Sequence, residues 1–83
     1  MTREEIKQTY SMKDILVKCG LPGPNRAGFI KCPFHKGDHE ASMKVYDKDF
    51  HCFGCGANGD IFTFTERFYG ISFKDAFLML GGE

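Results

Sequence analysis

Two pairs of potential metal ligands stand out in the sequence. Cys32 and His35 form one pair, Cys52 and Cys55 form the other, and each pair encloses two residues. Residues 36–51 lie between the pairs and are sufficient for a β-hairpin that brings them together. Three thiolates and one imidazole suit tetrahedral Zn²⁺, which lies about 2.3 Å from sulfur and about 2.0–2.1 Å from nitrogen. The spacing therefore predicts one zinc ion bound by these four residues.

The predicted site is structural, because four protein ligands leave no coordination position for water or substrate. Iron in a sulfur-rich cage is the alternative that the spacing leaves open. Metal binding of this kind contributes about 10–16 kcal/mol to the free energy of folding, whereas the free energy of unfolding of a typical domain is about 5–15 kcal/mol in all. We therefore expect the metal-free chain to be largely unfolded.

Length and composition indicate one small globular domain over residues 1–83. The chain is 42% hydrophobic and 27% charged, which is ordinary for a folded protein. A chain this short buries only roughly 60–65% of its surface, so a metal is expected to supply the missing stabilisation. Eleven basic and eleven acidic residues cancel, which excludes a polybasic tail as the main binding device.

The cysteines also indicate the compartment. Three of the four cluster with His35, and the chain shows neither a secretory signal nor an apolar run of about 20 residues. We therefore expect a cytoplasmic protein without membrane contact, in which disulfides do not persist. Cys19 lies on the apolar stripe of a predicted helix and is expected to be a small buried hydrophobe.

Predicted helices flank a predicted antiparallel meander. Residues 2–9 suggest a short or fraying helical segment, and Ser11 with Asp14 predicts a capped helix that ends at Gly20. Residues 29–31, 42–46 and 50–53 are the strand candidates. Two more helices are predicted after Asp60 and Ser72. Their phenylalanines are expected in the core: Phe62, Phe64, Phe68, Phe73 and Phe77.

The ligand motifs resemble a known family. Cys32-Pro-Phe-His35, Ala41-Ser-Met-Lys-Val45 and His51-Cys-Phe-Gly-Cys-Gly56 closely resemble the zinc-binding domain of bacterial and phage DNA primases. The CHC2 finger of that family is named for such ligands. The flanking helices are similar too, around residues 14–20 and 72–76, so that the resemblance covers about residues 11–80.

The resemblance implies a small α+β zinc-ribbon domain, an antiparallel sheet with a Cys3His zinc site at one end. A zinc ribbon over residues 26–57 would lie between an N-terminal helical segment (1–21) and C-terminal helices (58–83). In the family such a module recognises single-stranded DNA template at primer start sites, together with a separate RNA polymerase domain and the replicative helicase. Nothing in this chain resembles the polymerase domain, so it is expected to be non-catalytic.

Basic and aromatic residues alternate along the predicted sheet, an arrangement that can follow phosphates and stack bases. Acidic residues in the same segment nearly balance these charges, so weak binding is expected. Phe34, Phe50 and Phe53 could instead pack against helices. The candidate DNA contacts are Arg26, Lys31, Lys44, Tyr46, Lys48 and His51.

Two other functions remain open at this point. One is a zinc-stabilised protein-interaction module that docks on a polymerase, a helicase or another phage or mobile-element replication protein. The other is a full primase of which these 83 residues are one segment. Charge reversal at Lys31, Lys44 and Lys48 separates DNA binding from docking, because only DNA binding needs these cations.

Overall fold

A four-stranded antiparallel sheet with helices before and after it makes up the fold. The computed structural model describes residues 1–34 and 41–82. None of the helices in that part of the chain has the length and apolar character that a membrane crossing needs. The elements are α1 (Arg3–Thr9), α2 (Met12–Lys18), β1 (Phe29–Ile30), β2 (Met43–Val45), β3 (Asp49–Cys52), β4 (Asn58–Asp60), α3 (Ile61–Tyr69) and α4 (Phe73–Met79).

The strands pair in sequence order, β1-β2-β3-β4, and their register sorts the side chains onto two faces. Ile30, Met43 and Cys52 lie side by side and are buried. Phe29, Lys44 and His51 form the adjacent row. Because successive residues of a strand point to opposite faces, this second row lies on the other side of the sheet. The small α+β fold with an antiparallel sheet is confirmed.

Side-chain caps fix the beginnings of the two N-terminal helices. The backbone N–H of Asp14 donates to Ser11 Oγ (3.3 Å), and the Ser11 N–H donates to the Asp14 carboxylate (2.9 Å), as predicted. Thr2 and Glu5 form a second such pair. Residues 3–9 therefore form a short capped helix, in keeping with the short helical segment that the sequence suggested. Each cap typically contributes about 1 kcal/mol to the stability of the helix that it begins.

The core is built from helix α3 against the sheet and helix α2. The Phe64 ring lies 5.4 Å from Phe50 and 5.2 Å from Phe34, between ring centroids. Phe62 is buried as well, and Phe68 and Phe77 pack against the core from partly buried positions. The prediction was wrong for Phe73, which is 41% exposed. Phe73 is the first residue of α4, and its ring lies 5.1 Å from Phe62 and 6.0 Å from Phe77 between ring centroids.

Strand β4 was not predicted, because Asn58, Gly59 and Asp60 have low intrinsic strand propensity. Gly59 pairs with Phe50 and has a φ of +150°. A β-carbon at Gly59 would lie 2.5 Å from Thr63 Cβ. Asp60 still caps α3, as predicted, by accepting from the Thr63 N–H (3.0 Å), and it also pairs with Lys7 at 3.0 Å.

We expect Gly59→Ala to lower the free energy of unfolding of the zinc-loaded protein by about 1–3 kcal/mol, because backbone strain and the contact with Thr63 both oppose the substitution. Gly23→Ala is the matched control, since a β-carbon at that position would have no described atom within 4 Å apart from its chain neighbours. Urea unfolding measures both variants. Equal midpoints for the two would contradict this account of the β4–α3 junction.

Candidate metal centre and outer sheet face

Three cysteines converge at one end of the sheet. Cys32 follows β1, Cys52 ends β3, and Cys55 lies in the next turn. Their Sγ atoms lie within 4.8 Å of one another, and those of Cys32 and Cys55 are 3.8 Å apart. Two sulfurs of a tetrahedral zinc site also lie about 3.8 Å apart when each Zn–S bond is about 2.3 Å. The donor set therefore fits one structural zinc ion.

A tight turn holds Cys52 and Cys55 in place. The N–H of Gly56 donates to the Cys52 carbonyl (2.8 Å), and the Cys52 N–H donates to the Ala57 carbonyl (2.7 Å). Gly56 has a left-handed φ of +79°, a conformation that glycine adopts without steric cost. These bonds close residues 52–57 into a loop that presents both sulfurs to Cys32.

The protein environment keeps the Cys32 thiol protonated unless a cation is bound. Burial is the largest cause, and with the nearby Cys52 and Cys55 thiols it raises the pKa of Cys32 to about 12, against a smaller opposing effect of the Phe34 N–H. A metal ion reverses this preference, because a coordinated thiol loses its proton outright. Three thiolates can therefore share this site only with a cation between them.

The predicted fourth ligand, His35, lies outside the described residues. Its role stays a prediction from the sequence spacing. Cys19 is remote from this sulfur cluster: it is half-buried at the end of α2 and packs against the core. Burial raises the pKa of the Cys19 thiol, in keeping with the expected apolar role.

The second row of the sheet forms an aromatic and basic surface next to the metal centre. We call Phe29, Lys44, His51 and Phe53 the outer face. The Lys44 ammonium lies 5.2 Å from the Phe29 ring centroid and donates to the Ala27 carbonyl. The Phe53 ring lies 4.6 Å from His51 and 6.2 Å from Phe29. Phe53 is 65% exposed.

The other candidate DNA contacts surround the outer face in different settings. Arg26 and Lys31 are exposed, and Tyr46 is 49% exposed just beyond β2. Lys48 differs, because its ammonium donates to the Tyr10 carbonyl (2.9 Å) and ties the β2–β3 turn to the junction of α1 and α2.

The sequence prediction omitted one aromatic residue of this surface, Phe29, and left the role of another, Phe53, open. Strand alternation was the available signal, since Phe29 precedes the buried Ile30 and Phe53 follows the buried Cys52. Three phenylalanines were expected either to stack bases or to pack against helices. Of these, Phe34 and Phe50 pack in the core, and Phe53 does not.

Known proteins of similar sequence support a zinc site at this sulfur cluster. Residues 2–82 match the CHC2 zinc finger family. The chain is 41% identical to a DNA primase of Halalkalibacterium halodurans over 80 residues. This alignment covers 90% of this chain and 13% of the relative. A Geobacillus stearothermophilus DNA primase is 39% identical over 80 residues, with the same coverage. A Thermotoga maritima DNA primase is 36% identical over 76 residues, covering 88% of this chain and 13% of that protein.

Two consequences follow from these matches. The family is a zinc-finger family, so zinc and not iron is the metal that the sulfur cluster holds. The chain spans about 13% of the length of the relatives that it matches.

We expect Cys52→Ser to abolish stoichiometric zinc binding and cooperative folding, because it removes a fully buried ligand. Cys19→Ser is the matched control and should keep both, since Cys19 lies outside the sulfur cluster. Elemental analysis gives the zinc-to-protein ratio, and circular dichroism reports the fold. Cooperative unfolding of Cys52→Ser without bound metal would contradict the assignment.

Proposed function

The chain belongs to the CHC2 zinc finger family, and on that premise we propose that it is a non-catalytic, zinc-stabilised module that binds the single-stranded DNA template when primers are begun. The outer face is the observation that carries this proposal. It offers the exposed Phe53 ring and the partly buried Phe29 ring beside a lysine, on a sheet surface next to the metal centre. Aromatic residues of this kind stack unpaired bases at about 1–3 kcal/mol each and tolerate any sequence, because every base has a π-face.

Zinc has an indirect part in this function. When bound, it supplies a cross-link between the end of β1 and the turn after β3, and it takes no part in a reaction. Phe29 belongs to β1 and Phe53 lies in the turn after β3. The cross-link therefore fixes the two rings in their mutual arrangement, and a base meets a preformed surface.

The net charge of zero suggests modest affinity. Non-specific binding to nucleic acid rests on cations that displace counterions from phosphates, and acidic residues such as Asp47 and Asp49 lie close to the outer face in sequence. We infer that the module works beside a DNA-dependent RNA polymerase domain and the replicative helicase, in the cytoplasm. The matched relatives are DNA primases of which such a module is a small part.

A protein-docking module is the second candidate function. Helix α4 supports it, because Leu78 and Met79 are exposed apolar residues near its C-terminal end. The affinity of docking through α4 would not depend on Phe53 or on salt concentration, whereas the affinity of DNA binding through the outer face would depend on both.

We expect Phe53→Ala to weaken binding of a short single-stranded oligonucleotide by about 5- to 150-fold, the loss of one stacking contact. Fluorescence anisotropy with zinc-loaded protein at low salt measures this change. Val17→Ser is the control, because Val17 is exposed and apolar but lies on α2, away from the outer face.

Zinc content must be equal in all samples, because Phe53 adjoins a ligand. Duplex DNA of the same sequence should bind more weakly than the single strand, since its bases are already stacked. Identical affinities of Phe53→Ala and Val17→Ser, or no binding by the unmodified chain at high micromolar concentration, would overturn the proposal.

A further inference from the structure

A polar pocket lies at the end of the sheet remote from the metal centre. Met43 of β2 pairs with the ligand Cys52, and the pocket begins at the other end of that strand, near Tyr46. We call it the distal pocket. Its volume of about 510 Å³ falls in the range of small-ligand sites, roughly 300–1,000 Å³. Its walls include Lys13, Asn25, Arg26, Gly28, Tyr46 and Asp47.

Two cations of the distal pocket have no partner within the described residues. Neither Lys13 nor Arg26 makes a side-chain hydrogen bond or ion pair there. Lys7, by contrast, pairs with Asp60, and Lys48 donates to a carbonyl. Lys13 and Arg26 are therefore available to an anion.

The loop that carries Arg26 is well fixed. The Asn25 side-chain oxygen accepts from the N–H groups of Ala27 and Phe29, both at 3.0 Å. The Val45 N–H donates to the Gly28 carbonyl (2.8 Å) and joins the loop to β2. Little conformational entropy is then lost from this wall when a ligand binds.

Helix α2 is fixed against the same end of the sheet. The Met12 N–H donates to the Asp47 carbonyl (2.8 Å), so the first turn of α2 is held on the β2–β3 turn. Lys13 follows Met12 and enters the pocket from this side. The Asp47 carboxylate opposes an anion, but two cations against one carboxylate leave the wall net positive.

We propose that the distal pocket binds a phosphorylated nucleotide, with Lys13 and Arg26 on the phosphate and Tyr46 stacked on the base. Guanidinium matches phosphate with parallel hydrogen bonds, and a half-exposed tyrosine is a stacking platform. The nucleotide is either one residue of a DNA strand or a free nucleotide. In the first case the inference rests on the proposed function, because a strand on the outer face would continue past Lys44 to Tyr46.

An NMR titration of the zinc-loaded chain tests the free nucleotide, with thymidine monophosphate, thymidine and inorganic phosphate as probes. The monophosphate should shift the amide signals of Gly28 and Tyr46 and bind more tightly than either fragment. Arg26→Ala should weaken binding of the monophosphate by about 10- to 100-fold, because it removes charged hydrogen bonds to the phosphate. Lys74→Ala is the matched control, an exposed cation on α4 outside the pocket.

An oligonucleotide titration over several salt concentrations tests the DNA strand. Loss of one phosphate contact in Lys13→Ala or Arg26→Ala should reduce the slope of log affinity against log salt by about 0.7, and Lys74→Ala should leave it unchanged. Either result, a monophosphate bound through Arg26 or a reduced slope, supports the distal pocket.

The two proposals fail in different ways. If the monophosphate binds through Arg26 and no oligonucleotide binds, the DNA-binding proposal is wrong and the distal pocket stands. If the oligonucleotide binds through Phe53, but Lys13→Ala and Arg26→Ala match Lys74→Ala in every titration, the distal pocket is wrong.

Discussion

Coordination of one zinc ion joins the end of β1 to the turn after β3, and the rest of the structure depends on this link. β1 has two residues and β2 has three, at or below the short end of the roughly 3–10 residues that strands usually have, so the sheet offers little pairing of its own at this end. Cys32 and Cys52 belong to the same buried cluster as Phe50 and Phe64. The metal therefore closes one end of the core and sets the position of the outer face at the same time.

The proposed DNA binding does not need a net positive charge, because a neutral chain can still place single cations where a phosphate would lie. Several cations are held by the protein itself: Lys7 by Asp60, Lys48 by a carbonyl, and Arg67 over the Phe34 ring. Within residues 1–34 and 41–82, the cations without such a contact are Arg3, Lys13, Arg26, Lys31 and Lys74, and their placement decides what they can bind. Arg26 and Lys13 share one pocket, whereas the ammonium of Lys44 is held beside the Phe29 ring by the Ala27 carbonyl. The proposed binding therefore depends on where these cations lie more than on the summed charge of the chain.

The sequence was sufficient for features that depend on local chemistry. Ligand spacing identified the three cysteines, and the Ser11–Asp14 and Asp60 caps followed from side chains that bond to nearby backbone. It was insufficient where tertiary contacts decide. The segment from Asn58 to Asp60 is a strand only because β3 offers a pairing edge, and the exposure of Phe73 depends on how α4 packs on α3.

The most direct test of the zinc link is an amide NMR spectrum of the whole chain before and after chelation, followed by zinc add-back. The account predicts that chelation collapses the dispersed signals of all four strands and of Phe53, and that one equivalent of zinc restores them, because binding and folding share one free energy. A chelated sample that keeps the native positions of these signals would contradict it, since the outer face would then exist without the metal.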